Sequence, residues 1–257
     1  MSLAEQVLEM ARRSVLQTLR QPALVVPPIV FPLVLLAVNA GGLDAATAIP
    51  GFPTDAYLDF ALAFPFVQNA VFAAINAGST LARDVETGFL KRLALTPMQR
   101  AALLVGHLAG VLTVGLISSL LYVAVGVAAG VDFRSGPAGV LVLIMLATAI
   151  SLAFAGLGAF VGLRTGTGEA VQGFFPLFFV ALFLSSMSLP RDLIEQDWFR
   201  TIATYNPVSY LIEGVRSLVI TGWDAEALAL GFGVAGVFVV LGVAGAATAL
   251  RTRLVRT

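Results

Sequence analysis

Along this 257-residue chain the apolar positions neither alternate nor recur singly; they gather into six long runs parted by short polar stretches. The runs lie at about Ala23–Gly42, Leu58–Ala82, Ala101–Val131, Gly136–Leu163, Ala170–Leu189 and Ala225–Leu250. A helix needs about 20 residues to cross a hydrocarbon core of about 30 Å, and every run supplies them. The pattern predicts an all-α integral membrane fold with six transmembrane helices, forming one domain over residues 1–257.

The polar stretches carry patterns of their own. In "SLAEQVLEMARRSVLQTLRQP", Leu3, Val7, Leu8, Ala11, Val15 and Leu19 recur mostly at three- and four-residue steps, with Glu5, Glu9, Arg12 and Arg13 between them. Residues 1–21 therefore read as an interfacial amphipathic helix stopped by Pro22. In "RDVETGFLKRLALTPMQRAALL", Val85, Phe89 and Leu93 stand at four-residue steps with Leu90 beside them, while Asp84, Glu86, Lys91 and Arg92 cover the rest. This predicts a second surface-lying helix within 83–96. Gly88 interrupts it at a cost of up to about 1 kcal/mol relative to alanine, which points to close approach of another backbone. Thr96, Pro97 and Gln99 then form a capping box that starts the third span.

A third polar stretch, residues 190–222, is too charged to span. Asn206-Pro207 gives a capping residue followed by proline at the first helical position, after which Val208, Leu211, Ile212, Val215 and Val219 share a face. Glu213 and Arg216 are spaced to pair, and Gly222 suits the helix exit. A short amphipathic helix re-entering the outer leaflet between the fifth and sixth spans is predicted. It is either a passive cap or an outer gate built on Asn206, Pro207, Tyr210, Glu213 and Arg216.

Two spans have unusual content. The first carries Pro27, Pro28 and Pro32, each lacking a backbone donor, so it is expected to be kinked or locally unwound. Such backbone is tolerated at depth where protein or a cavity covers it. The fifth holds Phe174, Phe175, Phe178, Phe179 and Phe183, which read either as lipid-facing packing or as an aromatic wall for an apolar substrate.

Composition agrees with the runs: 58% of residues are hydrophobic, 12% are charged and the mean hydropathy is +0.94. A soluble domain of ordinary surface carries about twice that charged fraction. Net charge is zero, but its distribution is uneven. Eleven basic residues lie on the side of the N-terminus: Arg12, Arg13, Arg20, Arg83, Lys91, Arg92, Arg100, Arg164, Arg251, Arg253 and Arg256. Four lie opposite: Arg134, Arg191, Arg200 and Arg216. The positive-inside rule then places both termini in the cytoplasm. Cysteine is absent, which removes disulfides and thiolate metal sites, and no cleaved signal peptide is expected.

Reactive chemistry is scarce. Asp59, Gln68, Asn69 and Asn76 are the strongly polar residues of the second span, and the single histidine, His107, has no carboxylate or cysteine partner in sequence reach. An intramembrane enzyme or ion-coupled carrier needs more ionisable groups at depth. No Gly-x-x-x-x-Gly-Lys-Ser/Thr run exists, and Lys91, the only lysine, lies in Leu-Lys-Arg, so ATP cannot be bound by a P-loop here.

With these features in hand, the chain resembles the ABC-2 type exporter permeases, closest to their daunorubicin-type drug-resistance subgroup. Their cytoplasmic segment runs Glu-x-Gly-x-x-x-x-Leu-x-x-x-Pro-x-x-Arg before a glycine-bearing helix, matched by Glu86, Gly88, Leu93, Pro97, Arg100 and Gly106. His107 stands where the family often has lysine. Asn206, Pro207, Tyr210, Arg216 and Gly222 match a second landmark. The resemblance implies a transport subunit that pairs with a second copy or a related permease in the cell membrane and docks separate ATPases. Those ATPases would hold the ATP and Mg; this chain would bind no cofactor and no nucleic acid. It implies ATPase coupling by Glu86, Gly88, Phe89, Leu90, Lys91, Arg92, Pro97 and Arg100, with Phe89 or Leu90 as apolar anchors. A path between subunits would pass Gln68, Asn69, Asn76, Phe175 and Phe179, and sparse polarity favours a hydrophobic or amphiphilic substrate, drug-like or lipid. The alternative is an ATP-independent pore or scaffold.

Overall fold

A computed structural model of the chain describes residues 2–94 and 99–255. Among them the secondary structure is helical. The helices are α1 (Leu3–Leu19), α2 (Pro22–Gly42), α3 (Tyr57–Ala61), α4 (Ala63–Glu86), α5 (Phe89–Ala94), α6 (Arg100–Ala128), α7 (Gly136–Thr165), α8 (Gly168–Gly173), α9 (Phe175–Phe183), α10 (Asp197–Tyr205), α11 (Pro207–Arg216) and α12 (Ala225–Val255). Among the described residues five helical stretches are long and apolar enough to cross a membrane: α2, α3 with α4, α6, α7 and α12. The expected fifth span, Ala170–Leu189, is instead a broken pair. A break at Phe174 separates α8 from α9, and helix ends at Phe183, before the polar run Ser185, Ser186 and Ser188.

Small residues set the packing. α4 is the most enclosed long helix, and α7 lies against it so closely that a Cβ on Gly158 would meet the Ala74 carbonyl oxygen at 1.9 Å and one on Gly162 the Gly78 carbonyl at 2.1 Å. On its other side α7 meets α12, where a Cβ on Gly242 would sit 2.7 Å from the Leu157 nitrogen. Lipid tails are as apolar as leucine, so close van der Waals approach, and not water exclusion, drives such association in a membrane. α2 and α12 leave most of their apolar surface on the outside.

α2 runs as helix through all three prolines, without the local unwinding that was one of the two expected outcomes. Pro28 and Pro32 cannot donate to the carbonyls of Leu24 and Pro28, and other helices do so instead. Asn76 Nδ2 of α4 donates to Leu24 O at 3.0 Å, and the Tyr122 hydroxyl of α6 donates to Pro28 O. The neighbours satisfy the freed groups, which keeps the helix intact in lipid.

α1 packs with a face adjacent to its apolar stripe. Gln6, Met10, Ser14 and Thr18, at four-residue steps, lie on α6, where Gly106 and Gly110 admit them. A Cβ on Gly106 would come 2.3 Å from Met10 Cβ, and one on Gly110 2.4 Å from Ser14 Oγ. Ser14 Oγ donates to His107 O at 2.8 Å. Leu3, Leu8, Leu16 and Leu19 are left exposed, as a helix lying in a membrane interface requires.

The two ends of the bundle are closed by different sets of contacts. At one end Arg253 Nε and Nη2 donate to the carbonyls of Leu163 and Arg164 at 2.9 and 3.0 Å, and the Gly168 N–H reaches Glu86 Oε1 at 3.3 Å. At the other end the Tyr57 hydroxyl donates to Ser188 O at 2.9 Å and the Arg134 N–H to Val219 O at 3.1 Å.

Candidate functional site

At the end rich in basic residues, α4 stops at Glu86 and the chain turns through Gly88 into α5. Gly88 has φ +69°, and a Cβ there would meet nothing within 4 Å. The glycine is needed for the left-handed turn and not for the close approach expected of it. The surface helix is accordingly shorter than its periodicity suggested: Val85 belongs to α4, and α5 begins at Phe89. Thr96 and Pro97 lie outside the described residues. Gln99, placed by sequence at the third position of α6, is its N-cap, and its N–H donates to Gln6 Oε1 of α1 at 2.8 Å.

The faces of this segment are distinct. Leu90 is buried among Leu81, Leu103, Leu104 and Leu250, so it anchors α5 to its own chain. Phe89 is half-buried, with the Arg13 guanidinium 4.1 Å from its ring centroid, a contact that ties α1 to α5. Arg83, Glu86, Thr87 and Arg92 face outward. Lys91 and Arg100 lie on α5 and at the start of α6.

At the opposite end a non-helical stretch, Leu184–Ser188, is held inside the fold by side chains. Asn206 caps α11 by accepting from the Val208 N–H at 2.9 Å, while its amide donates to Ala181 O and Leu184 O at 2.6 and 3.0 Å. Arg216, buried, donates Nε to Phe60 O at 3.2 Å and Nη1 and Nη2 to Ser186 O and Met187 O, both at 3.0 Å. Its guanidinium stacks 3.5 Å from the Phe60 ring centroid. Irregular backbone survives at membrane depth only when its polar groups are satisfied this way.

Glu213 and Arg216 do not pair, although their spacing allows it. Among the described residues the Glu213 carboxylate is bound by Arg191, 22 residues upstream, through Nε at 2.6 Å and through Nη2, and by Ser186 Oγ at 2.7 Å. Arg191 also lies 4.4 Å from the Tyr210 ring centroid, and Tyr210 donates to Thr204 O at 2.9 Å. Burial works against the Arg191 charge, but its bond and ion pair with Glu213 prevail and its pKa stands above the ordinary arginine value. α11 is enclosed on both faces by α4, α7 and α12. The α-helix passes into a π turn at Ser217–Thr221, whose Leu218 carbonyl accepts from Ser135 Oγ at 2.6 Å. π turns inside helices are frequent at functional sites. Next to this assembly opens a cavity of about 330 Å³ lined by Arg191, Asp192, Glu213, Arg216, Thr221 and Asp224.

The residues read as a substrate path are divided. Gln68 and Asn69 are buried inside the chain, and neither polar atom of the Gln68 amide has a partner among the described residues. Asn76 is engaged with α2, Phe179 is half-buried on α9, and Phe175 lies on α9. Sequence reasoning missed Tyr57, Ser186, Arg191 and Tyr122. The Ser-Ser-Met-Ser run at the end of the fifth apolar stretch was a visible signal that helix does not continue there.

Long apolar helices, packed through glycines and flanked by surface helices, define a multi-pass helical membrane protein. The model of the ABC-2 type transporter family matches residues 5–220, and the chain belongs to that family. It is 27% identical over 156 residues to the "Probable doxorubicin resistance ABC transporter permease protein" of Mycobacterium tuberculosis, covering 61% of this chain and 55% of that one. It is also 27% identical over 202 residues to the "Daunorubicin resistance ABC transporter permease protein" of Streptomyces coeruleorubidus, covering 76% and 67%. The chain thus spans about half the length of the first of these relatives.

Proposed function

We propose that this chain is the membrane subunit of an ATP-driven exporter, docked to separate ATPases that hold the ATP and Mg. The carrying observation is the α4–α5 turn. Leu90 and Phe89 fix it to the body of the chain, while Arg83, Glu86 and Arg92 face outward, a charged lip suited to a soluble partner that engages and shifts in each cycle. No P-loop is present in the sequence, so the energy comes from elsewhere.

In this reading α8 and α9 supply a sixth crossing. Residues 168–183, helical except at Phe174, rise about 24 Å of a core of about 30 Å, and the turns of Leu184–Ser188 follow at the far end. Both termini and α5 are cytoplasmic, following the basic bias of eleven residues against four. Two copies pair to form the path. The Arg191–Glu213–Ser186 cluster and Arg216 act as an outer gate, because together they tie the non-helical Leu184–Ser188 stretch after α9 to α11. The relatives' names, which mention doxorubicin and daunorubicin resistance, and the sparse polarity of the spans support a hydrophobic or amphiphilic cargo.

The decisive test is co-purification of the chain with the ATPase encoded beside it, followed by reconstitution of the complex in vesicles. ATP-dependent extrusion of an amphiphilic dye supports the reading. Dye flux that is equal without ATP or without the ATPase supports the pore alternative and overturns it.

A further inference from the structure

α10 turns a stripe of large side chains outward. Its outward face carries Trp198, Ile202 and Tyr205, at positions i, i+4 and i+7, exposed by 60%, 40% and 81%. Ala203, on the opposite face, is fully buried. Asp197 opens the helix with its carboxylate 94% exposed, whereas the other polar side chains are bonded to backbone. Arg200 donates Nε to Ile194 O at 2.8 Å and Nη2 to Glu195 O at 3.3 Å, and the hydroxyls of Thr201 and Thr204 donate to the carbonyls one turn back at 2.8 and 2.7 Å. A helix on a water-facing loop turns its rings inward; here Trp198 and Tyr205 turn outward, while Arg200, itself exposed, folds back onto the loop backbone.

We infer that α10 is a membrane float, its Trp198–Ile202–Tyr205 stripe seated in the boundary between headgroups and acyl chains of the lipid leaflet at that end of the bundle. The chemistry of the stripe selects that layer. Tryptophan and tyrosine each join an apolar ring to one polar atom, which suits a zone apolar on one side and wet on the other. The stripe is also continuous with lipid-facing surface. Asn206, the residue after Tyr205, is bonded to Ala181 and Leu184 of the α9 end, where Phe183 is 53% exposed. Trp223, just before α12, is a second ring exposed by 60% at the same end. A second copy of the chain is a poor occupant: three side chains fall far short of the 20–30 residues a side that a stable interface takes.

The float bears on the segment described above. The Thr204 carbonyl, in the last turn of α10, accepts from the Tyr210 hydroxyl at 2.9 Å and from Arg191 Nη1 at 3.4 Å. Its depth in the leaflet therefore fixes one attachment of the Arg191–Glu213 pair. That consequence rests on the gate reading; the seating itself does not.

The chain has two tryptophans, so Trp223→Phe leaves Trp198 as the only one. The full-length variant is reconstituted in phosphatidylcholine vesicles with iodide loaded on both sides by freeze–thaw, or with brominated phosphatidylcholine carrying its bromines near the headgroup or near the chain ends. The inference expects blue-shifted emission, stronger quenching by the shallow bromines than by the deep ones, and little quenching by iodide. Strong iodide quenching without bromine quenching means a water-facing helix, and protection from every quencher means burial against protein; either result overturns the float. Should Trp223→Phe fail to fold, subtracting Trp198→Phe from the unaltered chain isolates the same signal. Transport is not read, so failure here leaves the exporter reading untouched.

Discussion

The side-chain amide of Asn76 on α4 donates to the Leu24 carbonyl of α2 at 3.0 Å, the carbonyl that Pro28 cannot serve. This couples a substitution on one helix to a proline on another. Asn76→Ala leaves the carbonyl without a donor and is expected to destabilise the chain by about 1–2 kcal/mol. Pro28→Ala restores a backbone N–H to Leu24, so Asn76→Ala in that background costs much less. Unfolding in mild detergent of the four members of the cycle measures the coupling. Equal costs in both backgrounds would show that Asn76 does not act through Leu24, and would reopen its role as a path residue.

Arg216 holds three carbonyls on two separate segments, Phe60 and Ser186–Met187, and stacks on a ring besides. A lysine keeps the charge but cannot span that fork. Arg216→Lys is therefore expected to lose about 1–3 kcal/mol for each carbonyl left unserved. Amides of residues 184–189 should exchange with solvent faster while those of α6 and α7 keep their protection. Uniform loss of protection throughout the chain would contradict a local clamp.

These examples separate what the sequence makes legible from what it hides. Crossing lipid demands length and apolarity, so the long helices stand out as runs. Pairings across the chain leave no such trace. Tyr57 reaches a carbonyl 131 residues away, and Arg216 one 156 residues away. The local rule that Glu213 pairs with Arg216 failed because Arg191, in a different loop, arrives with better geometry. Gly88 was misjudged for a related reason: a glycine required by backbone handedness and one required by crowding look alike until φ and the surrounding space are known.

The Arg191–Glu213 pair differs from Arg216 in being partly exposed, 19% and 30% at the two side chains. Such a pair contributes about 0–1 kcal/mol, so Glu213→Gln should leave the fold nearly as stable. If the pair is part of an outer gate, the same variant should change ATP-driven transport several-fold. The double variant carrying Arg191→Glu and Glu213→Arg should recover part of the rate. Unchanged transport in Glu213→Gln would remove the pair from the gate.

The two faces of α5 predict opposite behaviour for neighbouring residues. Leu90 is 3% exposed and packed among leucines of α4, α6 and α12, so Leu90→Ala removes core contacts and is expected to cost about 2–5 kcal/mol. Arg92 is exposed, and Glu86, also exposed, accepts from the Gly168 N–H at 3.3 Å. Glu86→Ala combined with Arg92→Ala should therefore change stability by less than about 1 kcal/mol, in keeping with exposed positions. If the exposed lip meets the ATPase, that double variant should weaken co-purification with it and lower substrate-stimulated hydrolysis, while the spans remain folded. Phe89 lies between these extremes: Phe89→Ala releases Arg13 and should loosen α1, seen as faster proteolysis of residues 3–19. A double variant that keeps both full ATPase binding and full stimulation would move the docking surface off this lip.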